Sequence, residues 1–469
     1  MTSGSPSLET APPAPGQERA LLAPLLSVAA VALGYAIQFG NGARHPDSMV
    51  LLTVALVASL LAVVMPEPRH ARIIQLAERA TILLLGVGLI GQFIFLATSA
   101  PAVYLHPGRN GFTSFMTGIA VAAVLAGAGL SGRPWLGRLR LPVLVGVHIA
   151  LGSWIIHYSP NPHIDVYTFH TEAFRALAKG INPYAIDMPN IYGHEEFYGP
   201  GLVVNGRLQV GFPYPPFSLM VAWVSHLLSG DYRYANLLAM GLAALLMASC
   251  RPGGQWAQVA AVVFLFTPRT FFVLEQGWTD AYVAMLVAAT VWSACRAPRL
   301  LPVALGLLFA VKHYMVLAAP LVMLLYPGPL PWRETLRTLL KAAAVAALVT
   351  LPFAVLDPVA LYNDLMGFQL RQPFRMDALS YLSWWAEKTG RRLPSGLGFA
   401  VVLPALGLSL WRAPRTPSGF AAAMAMTFTV FFAFSKQAFA NYYYFIIAAL
   451  CSAVAAWTPP PPQEQRATP

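Results

Sequence analysis

Charge is scarce in this chain. Only 10% of its 469 residues are Asp, Glu, Lys or Arg, where an ordinary soluble domain carries about a quarter. So few charges cannot coat the surface of a water-soluble globule. Disorder is excluded by a hydrophobic content of 57%. The apolar residues come in long continuous runs and lack the period-two alternation of a membrane β-barrel. Cysteine is nearly absent. Cys250, Cys295 and Cys451 stand far apart without CxxC spacing, so they build neither a disulfide framework nor a metal site. What remains is an all-α polytopic membrane protein, with about 12–16 membrane-embedded helices expected from segments near the 20-residue length of a span.

The charge that is present is lopsided, 30 basic against 19 acidic residues and a net +11. Arginine-rich cytoplasmic loops and anionic lipid headgroups account for this balance. Nucleic-acid binding would require a basic face on a soluble module, and the sequence has none.

Apolar segments fall at 20–39, 48–65, 81–99, 113–130 and 141–157. Arg69, Arg72 and Arg79 lie between the second and third, and Arg133, Arg138 and Arg140 between the fourth and fifth. Single arginines, Arg44 and Arg109, mark the other loops. The positive-inside rule then sets the N-terminus in the cytoplasm and residue 158 outside. Residues 1–19, rich in Pro, Ser and Ala, read as a disordered cytoplasmic tail without a signal peptide. Residues 458–469 read as a second one. High Ala, Pro and Arg content suits a bacterial inner membrane.

Two hydrophilic stretches, 158–214 and 356–393, are expected outside. The first holds Asp165, Glu172, Asp187, Glu195 and Glu196. Within it, Val166, Phe169, Ala173 and Leu177 recur at helical spacing. The spacing predicts an amphipathic helix lying in the interface with its apolar stripe in lipid. Gly180 stops it and Asn182-Pro183 makes the turn. Asp165 stands at its start and reads either as a cap accepting the Thr168 amide or as a functional carboxylate. FPYPPF (212–217) cannot be helix interior and reads as a rigid lead into a span over 215–229 or as a stiff wall beside a substrate cleft. Further segments fall at 233–249, 256–275, 279–297, 300–326, 335–355, 395–412, 417–434 and 441–457. Pro268 breaks 256–275, read as a re-entrant pair of short helices. Lys312 and His313 break 300–326, read as two half-length helices meeting near the outer face. Arg251 does not fit a simple alternation of sides.

Several residues carry candidate chemistry. Lys312 and His313 sit in an apolar run, where a cation is costly without a purpose. They read as phosphate contacts or, for Lys312, as a snorkelling side chain. Arg371, Arg375 and Lys436 are further phosphate candidates or solvated loop charges. Gln276 and Asp280 flank Trp278 and could hydrogen-bond sugar hydroxyls with the indole stacked on a sugar face. Helix capping is the other reading of Asp280. Tyr184 and Tyr214 are further sugar-binding candidates. Tyr442, Tyr443 and Tyr444 fit an interfacial belt. His163 and His170 flank Asp165 on different helical faces, and no metal site is expected there.

The order of these motifs carries a resemblance. An aspartate before an amphipathic helix is followed by G-x-N-P-Y, by Y-P-P opening an apolar segment, by Gln276-Gly277, and by a lysine in a broken segment. This resembles the C-fold polytopic glycosyltransferases, most closely glycosyltransferase family 87, which includes mannosyltransferases that use polyprenol-phosphate-mannose. The resemblance covers roughly 141–457. It sets 20–140 apart as a four-helix transmembrane extension ahead of the aspartate loop. It implies an inverting membrane enzyme without a cofactor. Such an enzyme moves a sugar, mannose in those relatives, from a polyprenyl-phosphate donor to an extracytoplasmic lipid or glycan acceptor. Asp165 matches the catalytic base of such enzymes. A polytopic transporter or lipid flippase is the alternative, since these also use broken helices, but no internal repeat is present.

Overall fold

The computed structural model describes residues 18–66, 71–107, 111–130, 137–194, 197–251, 254–328 and 330–460. Arg69, Arg109, Arg133, Glu195, Glu196 and most of the two terminal tails therefore lie outside the described residues. The described chain is a polytopic bundle of 19 α-helices. Five of them are long and apolar enough to cross a membrane. Nine shorter apolar helices of 10–17 residues accompany them.

The first half of the bundle follows the apolar segments, except that α3 starts ten residues before 81 and holds Arg72 and Arg79 within the helix: α1 (Leu22–Ala36), α2 (Pro46–Val64), α3 (Ala71–Thr98), α4 (Thr113–Leu130) and α5 (Gly137–Tyr158). After the amphipathic α6 (Asp165–Ala178) come α7 (Pro216–Ser229), α8 (Arg233–Ser249), α9 (Gln255–Leu265), α10 (Thr270–Glu275) and α11 (Asp280–Arg296). Then α12 (Leu301–Val311) leads into a 3-10 helix over His313–Leu325 and into α13 (Trp332–Leu356). The second loop holds α14 (Pro358–Tyr362), α15 (Phe368–Arg371) and α16 (Tyr381–Thr389). Finally α17 (Leu397–Arg412), α18 (Pro417–Ala433) and α19 (Ala440–Ala456) complete the chain.

Nearly every residue of α18 and α19 is buried, so these helices form the centre. By contrast α13 buries only Thr335, Thr338 and Ala342 and turns leucines such as Leu340, Leu348 and Leu351 outward. Beyond Lys341 the helix carries no charge, and an outward apolar surface of this kind belongs in lipid.

Hydrogen bonds between connections sort the chain into two ends. At one end Gln38 Nε2 donates to Ser99 Oγ (2.9 Å), the His106 amide to Tyr158 O (2.8 Å) and the Arg44 amide to Asp377 O (2.8 Å). Glu275 accepts the Val103 and Tyr104 amides at the same end. At the other end Arg19 Nη1 donates to Val63 O and Met65 O, and Trp457 Nε1 to Arg19 O. There too Gln255 Nε2 reaches Gly129 O, and Arg251 Nε reaches Ala456 O. The two hydrophilic stretches share the first end, here called the loop face.

This sorting corrects the expectation for 215–229. The helix α7 is no span. Trp223 and His226 pack on Phe174 of α6, with ring centroids 5.4 and 4.7 Å away. Tyr232, just past its end, donates to Gly277 O at the loop face. With α7 lying at the loop face, α8 leaves that face and Arg251 falls at the opposite end, beside Ala456. The irregularity at Arg251 disappears.

The expected breaks are present, but 256–275 is not a re-entrant pair: Gln255 stands at the opposite end and Glu275 at the loop face, so α9 and α10 together run from one end to the other. Residues 266–269 separate α9 from α10, and Lys312, with φ −149° and ψ 129°, separates α12 from the 3-10 helix. Residues 18–19, expected in the disordered tail, belong to the body: Glu18 and Arg19 are both buried. The first loop also contains a small sheet of three two-residue strands, β1 (Met188–Pro189), β2 (Val203–Val204) and β3 (Arg207–Leu208), in the order β1-β3-β2. Asn205 and Gly206, with φ 51° and 72°, turn β2 into β3. An Asn-Gly pair suits such a hairpin because both residues tolerate positive φ.

The helices α1–α4 pack into the rest of the bundle. α1 lies against α19 as well as α2 and α3, and α2 lies against α18.

Candidate active site

The apolar face of α6 meets protein and not lipid, which corrects the expected lipid-buried stripe. Phe169, Ala173 and Phe174 join Tyr184, Tyr198, Phe212 and Tyr232 in a second apolar core beneath the first loop. Residues 183–194 and 197–214 fold over the helix and supply the aromatic floor that lipid would otherwise provide. Glu172 and Arg175 pair on the outer side at 2.5 Å. Gly180, with φ 70°, ends the helix, and its amide donates to Leu177 O. The Asn182 side chain accepts the Tyr184 amide (3.1 Å) and sets the turn.

This packing fixes the first residue of α6 at the rim of a cavity of about 300 Å³ at the loop face. Asp165 is that residue. The cap position belongs to Ile164, and the Thr168 amide donates to Ile164 O (3.2 Å). The expected cap from Asp165 to Thr168 is therefore not formed. Instead Asp165 Oδ1 accepts the Val166 amide (2.8 Å), and the Asp165 amide donates to Tyr192 Oη (3.2 Å). Burial pushes the Asp165 carboxyl up to about 6, partly offset by the Val166 amide and the Arg375 charge. A carboxyl tuned this near neutrality is suited to proton transfer.

Six further segments complete the wall. The FPYPPF segment supplies Pro213 and Tyr214, and the α10–α11 connection supplies Trp278. Lys312, His313 and Tyr314 come from the break after α12. The second loop adds Gln372, Arg375 and Asp377, and the start of α19 adds Asn441 and Tyr442. Asn41 and Ala43, between α1 and α2, close the remaining side.

Lys312 does not snorkel. It is 4% exposed, its Nζ lies 3.2 Å from Asp280 Oδ2, and it sits 4.9 Å from the centre of the Tyr214 ring. Asp280 is fully buried and also accepts Tyr314 Oη (2.7 Å) and Asn441 Nδ2 (2.9 Å). It stands under the wall, and Thr279 occupies the cap of α11, so Asp280 is not that cap. Arg375 rests over the Phe197 and Phe439 rings, and its Nε and Nη2 bind the Asp377 carboxylate at 2.9 and 2.7 Å.

The other candidate residues stand behind the cavity. Tyr184 donates to Tyr214 O (2.8 Å) and so braces the wall from outside. Gln276 is buried against Glu275 (3.2 Å). Arg371 binds Gly367 O (3.1 Å). Lys436 clamps the second loop through Leu370 O and Gln372 O, and burial lowers its pKa. His163 is exposed beside Tyr192. His170 is buried, stacked 4.2 Å from Tyr232, and burial drives its pKa down to about 4, so it is neutral. Among the described residues no cluster of three or more His, Cys, Asp or Glu is present. Tyr443 and Tyr444 are fully buried, which corrects the interfacial belt expected for them.

Sequence reasoning missed Tyr192, Asn441, Gln372 and Asn41. Asn41 carries a readable signal, the Gly-Asn-Gly turn. Tyr192 carries none.

No family model matches the chain, and no curated protein matches it. Among solved structures the chain is similar to the crystal structure of ArnT from Cupriavidus metallidurans bound to undecaprenyl phosphate. The two are 17% identical with a TM-score of 0.41, over 66% of this chain and 59% of that one. The chain thus spans less than two thirds of that structure's length.

Proposed function

We propose that this chain is an inverting membrane glycosyltransferase of the C-fold class, similar to family 87. In this reading it moves a sugar, with mannose the first to test, from a polyprenyl-phosphate donor to the hydroxyl of a lipid or glycan acceptor. The reading is carried by one observation: Asp165, raised to about 6, shares a cavity with Lys312 and Arg375 at the loop face of a membrane bundle. Asp165 takes the acceptor proton as the acceptor oxygen bonds the anomeric carbon. The bond from that carbon to phosphate breaks, and its electron pair leaves on the polyprenyl phosphate. Arg375 Nη1, left over from the Asp377 pair, and the Lys312 ammonium stabilise the departing charge. Trp278 and Tyr214 offer flat apolar faces to a sugar ring. The loop face is then extracytoplasmic, and the membrane a bacterial inner membrane.

The test is transfer from a radiolabelled polyprenyl-phosphate-sugar by the purified protein. Asp165→Asn is expected to fold normally and to lose about 10²–10⁴-fold in rate, the usual worth of a general base. An Asp165→Asn protein that transfers as fast as the parent removes the assignment.

A further inference from the structure

The connection between α1 and α2 is built at a conformational cost. Gly40, Asn41 and Gly42 follow one another in the left-handed region, with φ 59°, 55° and 76°. Gly42 has its own reason: a Cβ there would collide with the backbone of Ala440 at the start of α19. Asn41 is not crowded in this way. Glycine is the cheapest residue for such a conformation, and asparagine is tolerated there at some strain. Strained residues held in place by their surroundings gather at functional sites. Asn41 is exposed and lines the cavity, and its side chain makes no hydrogen bond among the described residues.

The connection is also held rigidly. Ala43 forms an antiparallel bridge with Ala378. Arg44 donates from its amide to Asp377 O (2.8 Å) and from Nε to Met376 O (3.2 Å), and its guanidinium pairs with Glu387. Asp377 in turn holds Arg375. A segment from the first part of the chain is thereby locked to the loop that supplies the cavity's arginine.

We propose that Asn41 is a specificity residue of this cavity, its amide hydrogen-bonding a hydroxyl of the bound sugar, so that the α1–α2 connection is part of the substrate site. This inference rests on the glycosyltransferase reading. A carboxamide offers both donor and acceptor to a hydroxyl. The hydroxyl can belong to the donor's sugar or to a saccharide acceptor, and kinetics tell the two apart.

The deciding variant is Asn41→Gly, which keeps the left-handed backbone and removes only the amide. With a short polyprenyl-phosphate-mannose and a mannose disaccharide as probes, KM for one of the two is expected to rise about three- to tenfold, the worth of one neutral hydrogen bond. The kcat and the thermal midpoint stay near the parent's. A rise confined to the donor assigns the hydroxyl to the donor sugar, and a rise confined to the disaccharide assigns it to the acceptor. Unchanged KM for both overturns the proposal. The same two probes are titrated by isothermal calorimetry against parent and variant. If the parent transfers nothing, the glycosyltransferase reading fails on that result. Equal affinities of parent and Asn41→Gly, or no binding, then overturn the specificity role separately.

Discussion

Lys312 and Asp280 form a buried ion pair, Nζ to Oδ2 3.2 Å, beneath the ring of Tyr214. Removing one member of such a pair strands a charge and costs about 3–5 kcal/mol, while replacing both with apolar residues is often neutral. Asp280→Asn and Lys312→Met are therefore each expected to lower the thermal midpoint in detergent, and the double variant Lys312→Met/Asp280→Leu to regain part of it, since Tyr314 Oη and Asn441 Nδ2 still lose their acceptor. On the proposed function, transfer is expected to be lost in the double variant, because the cation at the cavity is gone. A double variant no more stable than either single one contradicts the pairing energetics.

On the proposed function, the Asp165 carboxyl acts as a base only when ionised. Its pKa is raised by burial to about 6, so the rate is expected to be flat at neutral pH and to fall as pH drops through about 6. Arg375 holds that value down. In Arg375→Gln the limb moves to higher pH, and kcat/KM at pH 6 falls more than at pH 8. A pH–rate profile of both proteins checks this, and a limb that stays in place separates Arg375 from Asp165.

The helices were legible wherever one run of apolar residues makes one crossing, as in α2, α4 and α5. Breaks were legible too, because Pro268 and Lys312 interrupt runs that lipid alone would keep continuous. The α7 segment misled because length and apolarity describe a span and an interfacial helix alike, and only its packing on Phe174 tells them apart. In the site, Asp165 and Lys312 stood out by residue type in an unusual place. Asp280 and Arg375 were visible, but not that each is engaged by a neighbour. Tyr192 and Asn441 meet the cavity through contacts 27 residues or more along the chain from Asp165, which no local pattern encodes.

Arg19 lies at the edge of the described chain yet ties three connections together. Its Nη1 binds Val63 O (2.7 Å) and Met65 O (2.9 Å), its Nη2 binds Arg412 O, and its carbonyl accepts Trp457 Nε1 (3.0 Å). Hydrogen bonds from a charged donor contribute about 1.5–3 kcal/mol each. Arg19→Ala is expected to destabilise the protein by about 3 kcal/mol or more, and Arg19→Lys by less, since an ammonium cannot span the same carbonyls. Thermal unfolding of the two variants in one detergent gives the comparison. An Arg19→Ala midpoint equal to the parent's rules out this anchoring role.

The position of α7 sets the sidedness of everything after it. If α7 lies at the loop face, residues 179, 229 and 388 share one side of the membrane, and residues 299 and 333 the other. Lys179, Ser229, Lys388, Arg299 and Arg333 are all exposed, so a cysteine at each is open to reagent. The natural cysteines interfere little: Cys250 and Cys451 are buried, and Cys295 is partly buried in the last turn of α11 at the opposite end. With a membrane-impermeant maleimide on intact bacterial cells, Lys179→Cys, Ser229→Cys and Lys388→Cys are expected to label. Arg299→Cys and Arg333→Cys label only after permeabilisation. Ser229→Cys is the decisive position, because a crossing α7 would move it alone to the other group. Labelling of Ser229→Cys only in permeabilised cells would restore α7 as a span and put Arg251 back out of register. Labelling of Lys179→Cys only in permeabilised cells would instead turn the whole molecule over and place Asp165 on the cytoplasmic side.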